Sequence, residues 1–250
     1  MELPRLTARS VVASTLLGVS PPELPTPVLV GTAELLGINP GAARVAMSRM
    51  VANGELAATE RGYRLIGRLV TRQARQDLSR TGPSTRWNGQ WRTLIVEGEG
   101  RPAAERAELR AALGALRFAE LREGVWLRPD NLPGGVLVGA ETAVAARTLL
   151  LTSRVEDPGA LVGRLWDLEA WARRGADLVD RLDRLDVVDR LDLADTFVTL
   201  AAVLRHLQAD PLLPAELLAA DWPGDRLRAR HAEVDAAFKH ALAAWQRARH

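Results

Sequence analysis

Leu36-Gly37-Ile38-Asn39-Pro40 carries both the stop of one helix and the start of the next. Gly37 suits the left-handed backbone that ends a helix, Asn39 can cap the following one with its side-chain oxygen, and Pro40 fits a first helical position, where no N–H is needed. Two helices are therefore expected to meet at a tight turn, one over Val28 to Leu36 and one over Gly41 to Asn53. In the second, Ala43, Met47 and Met50 share one face and Arg44, Ser48 and Arg49 another, so the methionine side reads as core. A β-rich segment from Glu55 to Ile66 follows. Its Leu56, Ala58, Tyr63 and Leu65 alternate around Arg61-Gly62, a pair suited to a tight hairpin with positive φ at the glycine. The turn alone would serve any helical hairpin, but a basic hairpin directly after a basic helix is the grammar of a winged helix-turn-helix.

Upstream, Thr7 to Leu17 reads as a first helix with Val11, Val12, Thr15 and Leu16 on its apolar face, and the proline-punctuated Ser20 to Pro27 reads as a rigid loop. Arg5 and Arg9 before Val11 to Val19 faintly resemble a signal peptide, a reading set aside because cleavage there would remove the first helix. Downstream, Leu69 to Leu78 is expected as a connector helix and Ser79 to Asn88 as a polar linker containing Gly82-Pro83. Trp91 to Val96 is then β-rich, Ala103 to Leu116 helical, and Phe118 to Arg122 with Gly124 to Arg128 a hairpin around Glu123-Gly124. Val136 to Val138 and Thr148 to Arg154 are further short apolar segments. A β-α-β-β order with a later strand fits a small ferredoxin-like domain.

From Asp157 the chain turns helical. Gly163 to Arg174 carries Leu165, Trp166 and Leu168, and Asp180 to Asp195 repeats Asp and Leu every three residues, a period that drifts around a helix and predicts a solvated, charge-laced one. Phe197, Leu200, Val203, Leu204 and Leu207 form a core face. In the last helix, Leu227 to Arg249, the spacing of Leu227, His231, Val234, Phe238, Ala241 and Trp245 suits packing or a dimer seam. The expected architecture is α+β and multidomain: a winged helix-turn-helix DNA-binding domain with its connector over residues 1–78, a ferredoxin-like middle domain over 79–155, and a helical C-terminal domain over 156–250.

Composition narrows the function. In 250 residues there is no cysteine, which excludes disulfides, zinc ribbons and thiol catalysis and leaves a reducing cytoplasm as the default compartment. His206, His231, His240 and His250 lack a metal-ligand spacing and read as solvated or capping residues, so no metal and no cofactor is expected. No apolar run approaches the roughly 18 residues of a membrane span, so no membrane partner is expected. The formal charge of +2 conceals an asymmetry: residues 1–92 hold twelve arginines against six acids, a net of +6, and the remainder is −4. The front is the anion-binding part. Arg61, Arg64, Arg68, Arg72, Arg75, Arg80, Arg86 and Arg92 are accompanied there only by Asp77.

On this reading Arg44, Ser48 and Arg49 enter a major groove, Val45 touches a thymine methyl, Asn39 and the helix N-terminus approach a phosphate, and Arg61 and Arg64 meet the backbone or minor groove. An enzyme is not expected and no residue is assigned to catalysis. The alternative function is a metal-dependent nuclease built on Glu97, at the end of the first β-run, where a carboxylate could hold Mg²⁺; it stands alone in that strand, and a site needs several groups in defined roles.

The chain also resembles a known family. Asp210-Pro211-Leu212-Leu213-Pro214-Ala215-Glu216-Leu217-Leu218, with Asp221-Trp222-Pro223-Gly224, closely resembles the C-terminal signature of the PaaX family of transcriptional repressors, known for control of phenylacetate catabolism. Trp87 to Arg92 and Glu123 to Pro129 resemble its middle domain, Trp166-Asp167-Leu168 the opening of its last domain, and Gly37-Ile38-Asn39 with Arg44, Met47, Ser48, Arg49 and Met50 its winged helix. The resemblance implies a homodimeric bacterial repressor on double-stranded DNA, with a middle domain similar to a small CRISPR-adaptation nuclease and release by an acyl-CoA or a related small-molecule effector. A dimer of such helices implies a palindromic operator. The chain departs from the family where Ala201 and Val203 stand in place of the usual His and Tyr, and near Gly175, where a Tyr is usual, so an effector other than phenylacetyl-CoA is expected. Trp166, Arg205 and Trp222 are the candidate effector-binding residues, apolar walls beside a basic group.

Overall fold

The computed structural model describes residues 6–82, 85–98, 102–135, 137–185 and 192–248. Arg5, Val136, Pro83, the C-terminal residues Arg249 and His250, and the middle of the Asp–Leu repeat at 186–191 lie outside the described residues. Two compact units are formed, one from Met1–Gln73, Leu178–Arg205 and Ala229–His250, the other from Ala74–Asp177 and His206–Arg228. Each unit draws on the helical segment that follows residue 156.

The first unit opens with α1 (Ala8–Leu17), held by reciprocal bonds between Thr7 and Ser10. The proline-rich stretch expected as plain loop contains a short strand, β1 (Glu23–Leu24), because its backbone pairs with a segment some forty residues later. Helices α2 (Thr26–Leu35) and α3 (Pro40–Ala52) then meet at the Gly37 turn. Gly37 has φ +73, the Ile38 N–H reaches back to the Ala33 carbonyl at 2.9 Å, and Asn39 Oδ1 accepts from the Gly41 N–H at 2.8 Å and the Ala42 N–H at 3.4 Å. Strands β2 (Leu56–Thr59) and β3 (Gly62–Leu65) form a hairpin with β3 central in the order β1-β3-β2. Thr59 pairs with Gly62, so Glu60-Arg61 is the connecting pair and the hairpin turns one residue earlier than expected. Gly62, at φ +147, is required by close approach: a Cβ there would lie 2.2 Å from the Leu24 carbonyl oxygen. Val11, Val12, Leu16, Leu29, Met47, Met50, Leu56 and Leu65 make one core.

Glu55, between α3 and β2, is buried and clasped by two arginines distant in sequence. Arg9 is bidentate, Nε to Oε2 at 2.9 Å and Nη2 to Oε1 at 2.6 Å, and Arg68 Nη2 also donates to Oε1. These bonds hold the carboxyl down to about 2 from its ordinary 4.5 against the opposing effect of burial. A depressed carboxylate contributes stability that is fully present above its unfolded pKa and is lost as the pH falls through the folded value. Glu55→Gln is therefore expected to cost about 1–2 kcal/mol at pH 7, discounted because Arg9 is about half and Arg68 mostly exposed, with the gap to wild type closing between pH 4.5 and 2. Urea unfolding at pH 7 and pH 3 checks this; a gap of equal size at both contradicts it.

The later helices complete this unit with part of α8 (Leu168–Leu185), most of α9 (Leu193–Leu207) and most of α10 (Gly224–Arg247). The described part of the Asp–Leu repeat is less solvated than expected: Leu182 is buried, Arg181 bonds Asp195 at 2.7 Å and Thr199 at 3.0 Å, and Asp183 pairs with Arg230 at 2.7 Å. His231 is buried in the stripe with Val234 and Phe238 rather than solvated, and the Phe238 ring lies 6.0 Å from that of Phe197.

The connector is α4 (Arg68–Thr81). In the second unit β4 (Trp91–Val96), α5 (Ala103–Ala115), β5 (Ala119–Arg122), β6 (Val125–Pro129), α6 (Val138–Ala145) and β7 (Thr148–Ser153) give a β-α-β-β-α-β chain whose sheet is antiparallel in the order β5-β6-β4-β7. Alternation divides the sheet's two faces. Leu94 and Trp126 pack with Leu109, Leu113 and Phe118 on one, and Trp91 and Leu127 with Leu161, Val162 and Leu213 on the other. The expected helix over Gly163 to Arg174 is broken: α7 (Pro158–Leu165) stops, Trp166 is extended, and α8 restarts with Asp167 Oδ1 accepting the Ala170 N–H at 2.9 Å. Asp167 is a capping residue that a hydrophobic-periodicity reading passes over.

The Asp210-Pro211-Leu212 segment is held from within this unit. Asp210 is 2% exposed; one oxygen accepts the Leu212 N–H at 2.8 Å and the other faces Arg228 Nη2. Arg228 Nε donates to the Ser79 carbonyl at 3.0 Å, Arg117 Nη2 to the Ser79 hydroxyl at 2.6 Å, and Asn131 to the Leu212 carbonyl at 2.8 Å. Burial pushes Arg117 down to about 10.

Candidate nucleic-acid interface

Helix α3 separates its side chains cleanly. Ala43, Ala46, Met47 and Met50 are buried, while Arg44, Val45, Ser48 and Arg49 are exposed, Val45 at 51%. At 3.6 residues per turn the exposed four occupy roughly 140° of arc opposite the core stripe. Val45 gives this otherwise polar face one apolar group, of the kind that meets a thymine methyl in a major groove. Asn39 is exposed at the N-terminus of the same helix, its side-chain oxygen accepting from two backbone N–H groups, so that what its side chain can offer a ligand is the amide N–H donor. No acid stands in the first turn, so the positive end of the helix dipole is left uncompensated there.

The hairpin supplies the second basic element. Arg61 sits at its tip and Arg64 in the central strand, both exposed, with Leu56 and Leu65 buried on the opposite face. Glu23 is the Cα partner of Arg64 across the β1–β3 ladder, and its carboxylate accepts from the Thr59 hydroxyl at 2.8 Å. Among the described residues none of Arg44, Arg49, Arg61 and Arg64 forms an ion pair, so four guanidinium groups on α3 and the hairpin keep their full donor capacity.

The wider arginine series of the front region is not uniformly available. Arg68 is bound to Glu55, Arg80 pairs with Asp77 at 3.1 Å, and Arg92 approaches Asp130 at 3.8 Å. Arg72 is held below its ordinary value, first by burial and then by the charges of Arg9 and Arg205. The two clasping arginines escape a sequence reading because Arg9 is 46 residues from Glu55 and no local pattern links them.

The candidate effector residues fall in different settings. Trp166 belongs to the apolar cluster around Trp91 and Leu127. Trp222 stacks on Trp171 at 4.4 Å, and Trp171 stacks on His206 at 4.3 Å. His206, buried with Nε2 3.1 Å from the Trp171 carbonyl, is a core residue and not a solvated one, and burial holds it below its ordinary pKa. Arg205 is exposed on α9 in the other unit. Glu97 is exposed after β4, with its N–H on the Arg147 carbonyl at 3.0 Å, and among the described residues no three His, Cys, Asp or Glu are grouped to hold a metal ion. No described helix is long and apolar enough to cross a membrane.

Comparison with known proteins places three matches along the chain: "PaaX-like protein" over residues 7–69, "PaaX protein central Cas2-like domain" over 84–160 and "PaaX-like protein C-terminal domain" over 166–247. No curated protein matches. Among solved structures, the uncharacterized protein Rv0674 from Mycobacterium tuberculosis is 44% identical with a TM-score of 0.75, over 97% of this chain and 100% of that one. With all three segments matched in order and a full-length relative at that identity, the chain belongs to the PaaX-like family, and that membership makes transcriptional regulation its coarse assignment.

Proposed function

We propose that this protein is a sequence-specific regulator that binds double-stranded DNA as a homodimeric repressor through a winged helix-turn-helix. The observation that carries the reading is the exposed face of α3, where Arg44, Val45, Ser48 and Arg49 stand together without ion-pair partners among the described residues, backed by a buried methionine stripe. Such a face offers bidentate donors to guanine and an apolar contact to a thymine methyl, while Asn39, Arg61 and Arg64 hold the backbone on either side. The β1-β3-β2 order supports the wing, and the β-α-β-β-α-β chain supports a ferredoxin-like middle domain. Release by an acyl-CoA or related carboxylic metabolite belongs to the same proposal and rests on the family resemblance; its candidate residues are Trp166 and Trp222 in one unit and Arg205 in the other. DNase I footprinting across the protein's own promoter tests the reading. We expect a protected inverted repeat with half-site centres about 34 Å, or a multiple of that, apart; uniform cleavage at saturating protein contradicts it.

A nuclease has less to rest on, since among the described residues no three His, Cys, Asp or Glu are grouped as metal-assisted hydrolysis needs. Glu97→Gln is expected to leave operator affinity within about 0.5 kcal/mol of wild type, with no Mg²⁺-dependent cleavage of DNA or RNA by either protein. Cleavage that requires Mg²⁺ and vanishes in the variant would overturn this.

A further inference from the structure

The sheet of the second unit has two unlike edges. β5 is four residues long and irregular, with a register shift between Glu120 and Arg122. β7 is six residues long, regular against β4 throughout, and carries Leu149, Leu150 and Leu151 at 47%, 44% and 43% exposure. Edge strands are ordinarily blunted by charge, proline or a bulge, because an open row of N–H and C=O groups invites another strand. β7 has none of these between Thr148 and Ser153.

We propose that β7 pairs edge to edge with β7 of a second copy of this chain, antiparallel about a two-fold axis at Leu150. The inference rests on the homodimer in the reading above and names its contact. Thr148-Leu149-Leu150-Leu151-Thr152 reads the same in both directions, so an axis through Leu150 sets Leu150 against itself, Leu149 against Leu151 and Thr148 against Thr152. That is the self-complementarity a two-fold interface requires. The ladder phase agrees. The Glu97 N–H to Arg147 C=O bond makes that pair a hydrogen-bonded one, and alternation then turns the backbone groups of Leu149 and Leu151 toward β4 and those of Leu150 and Thr152 toward the open edge. Charge agrees as well: in this register Arg147 falls opposite Ser153 and Arg154 opposite Ala146, so no like charges face each other.

The cysteine-free chain makes a clean test. In a hydrogen-bonded pair the two Cα atoms are about 5.5 Å apart, within disulfide range, whereas residues one step from the axis are not opposite their own copies. Full-length Leu150→Cys, mildly oxidised, should give a covalent dimer, while Leu149→Cys and the exposed control Val138→Cys should stay at least tenfold less cross-linked. In parallel, sedimentation of wild type, Leu150→Lys and Thr152→Pro, each checked for native circular dichroism, should give dimer, monomer and monomer. A wild-type dimer that persists in both variants, or equal cross-linking at 149 and 150, overturns the β7 contact and leaves the dimeric regulator standing. A wild-type monomer, free and on operator DNA, removes the homodimer itself.

Discussion

Asp210→Ala is expected to destabilise the protein by about 3 kcal/mol, the lower end of the cost of breaking a buried ion pair, because the exposed Asp225 still faces the same guanidinium. Asp210 is 2% exposed, and it faces Arg228, which is itself largely buried. Removing the carboxylate takes from that guanidinium its one buried counter-charge, leaving the exposed Asp225 and the Ser79 carbonyl, and frees the Leu212 N–H that Asp210 also accepts, at a position where Leu212 has φ +55. A loss of that size lowers the melting temperature by roughly 10 °C in a chain of this length. Asp225→Ala is the internal control: Asp225 also pairs with Arg228, at 3.2 Å, but is 97% exposed, so the change should stay within about 0.5 kcal/mol. Equal losses in the two variants, by thermal or urea unfolding, would show that burial is not what gives the Asp210 pair its value. The Asp-Pro-Leu-Leu-Pro signature then has a structural role, tying the segment to Ser79 and Asn131 through Arg228 and Leu212.

The second large effect is on binding. Arg44→Ala and Arg49→Ala should each weaken operator binding by about 1–3 kcal/mol and relax sequence preference at one or two positions, as expected for arginines reading base edges. The double variant should lose roughly the sum, the result expected of two side chains that each read a separate base. Arg61→Ala should act differently, weakening binding to all sequences alike and reducing the salt slope by about one. All three side chains are exposed and free of ion pairs among the described residues, so melting temperatures should be unchanged. Calorimetry or anisotropy with operator and mutated operators separates these outcomes. A uniform loss in Arg49→Ala with unaltered preference would move that residue from the bases to the phosphates.

The parts of this fold that were legible in the sequence are the ones written in neighbouring residues. Gly37, Asn39 and Pro40 act within five positions, and the division of α3 into a methionine side and an arginine side follows from 3.6-residue periodicity. What was not legible depends on partners far along the chain. β1 is two residues long and exists because β3 arrives beside it, and Gly62 is a glycine because the Leu24 carbonyl passes where a Cβ would be. The clasp on Glu55 subtracts two arginines from a series that looks uniformly basic when counted. His206 and His231 are polar residues with buried partners, and composition alone does not distinguish them from surface histidines. Trp166, a large apolar residue amid helical spacing, marks a helix break because Asp167 caps the next helix.

The proposed role of the exposed face of α3 is to read a DNA sequence. The most direct measurement is an anisotropy titration of the purified wild-type protein on a labelled duplex from its own promoter and on a random duplex of equal length, at several salt concentrations. At least about a thousandfold preference for the promoter duplex is expected, with a steep linear fall of log affinity with log salt. Equal affinity for the two duplexes at every salt concentration would contradict it.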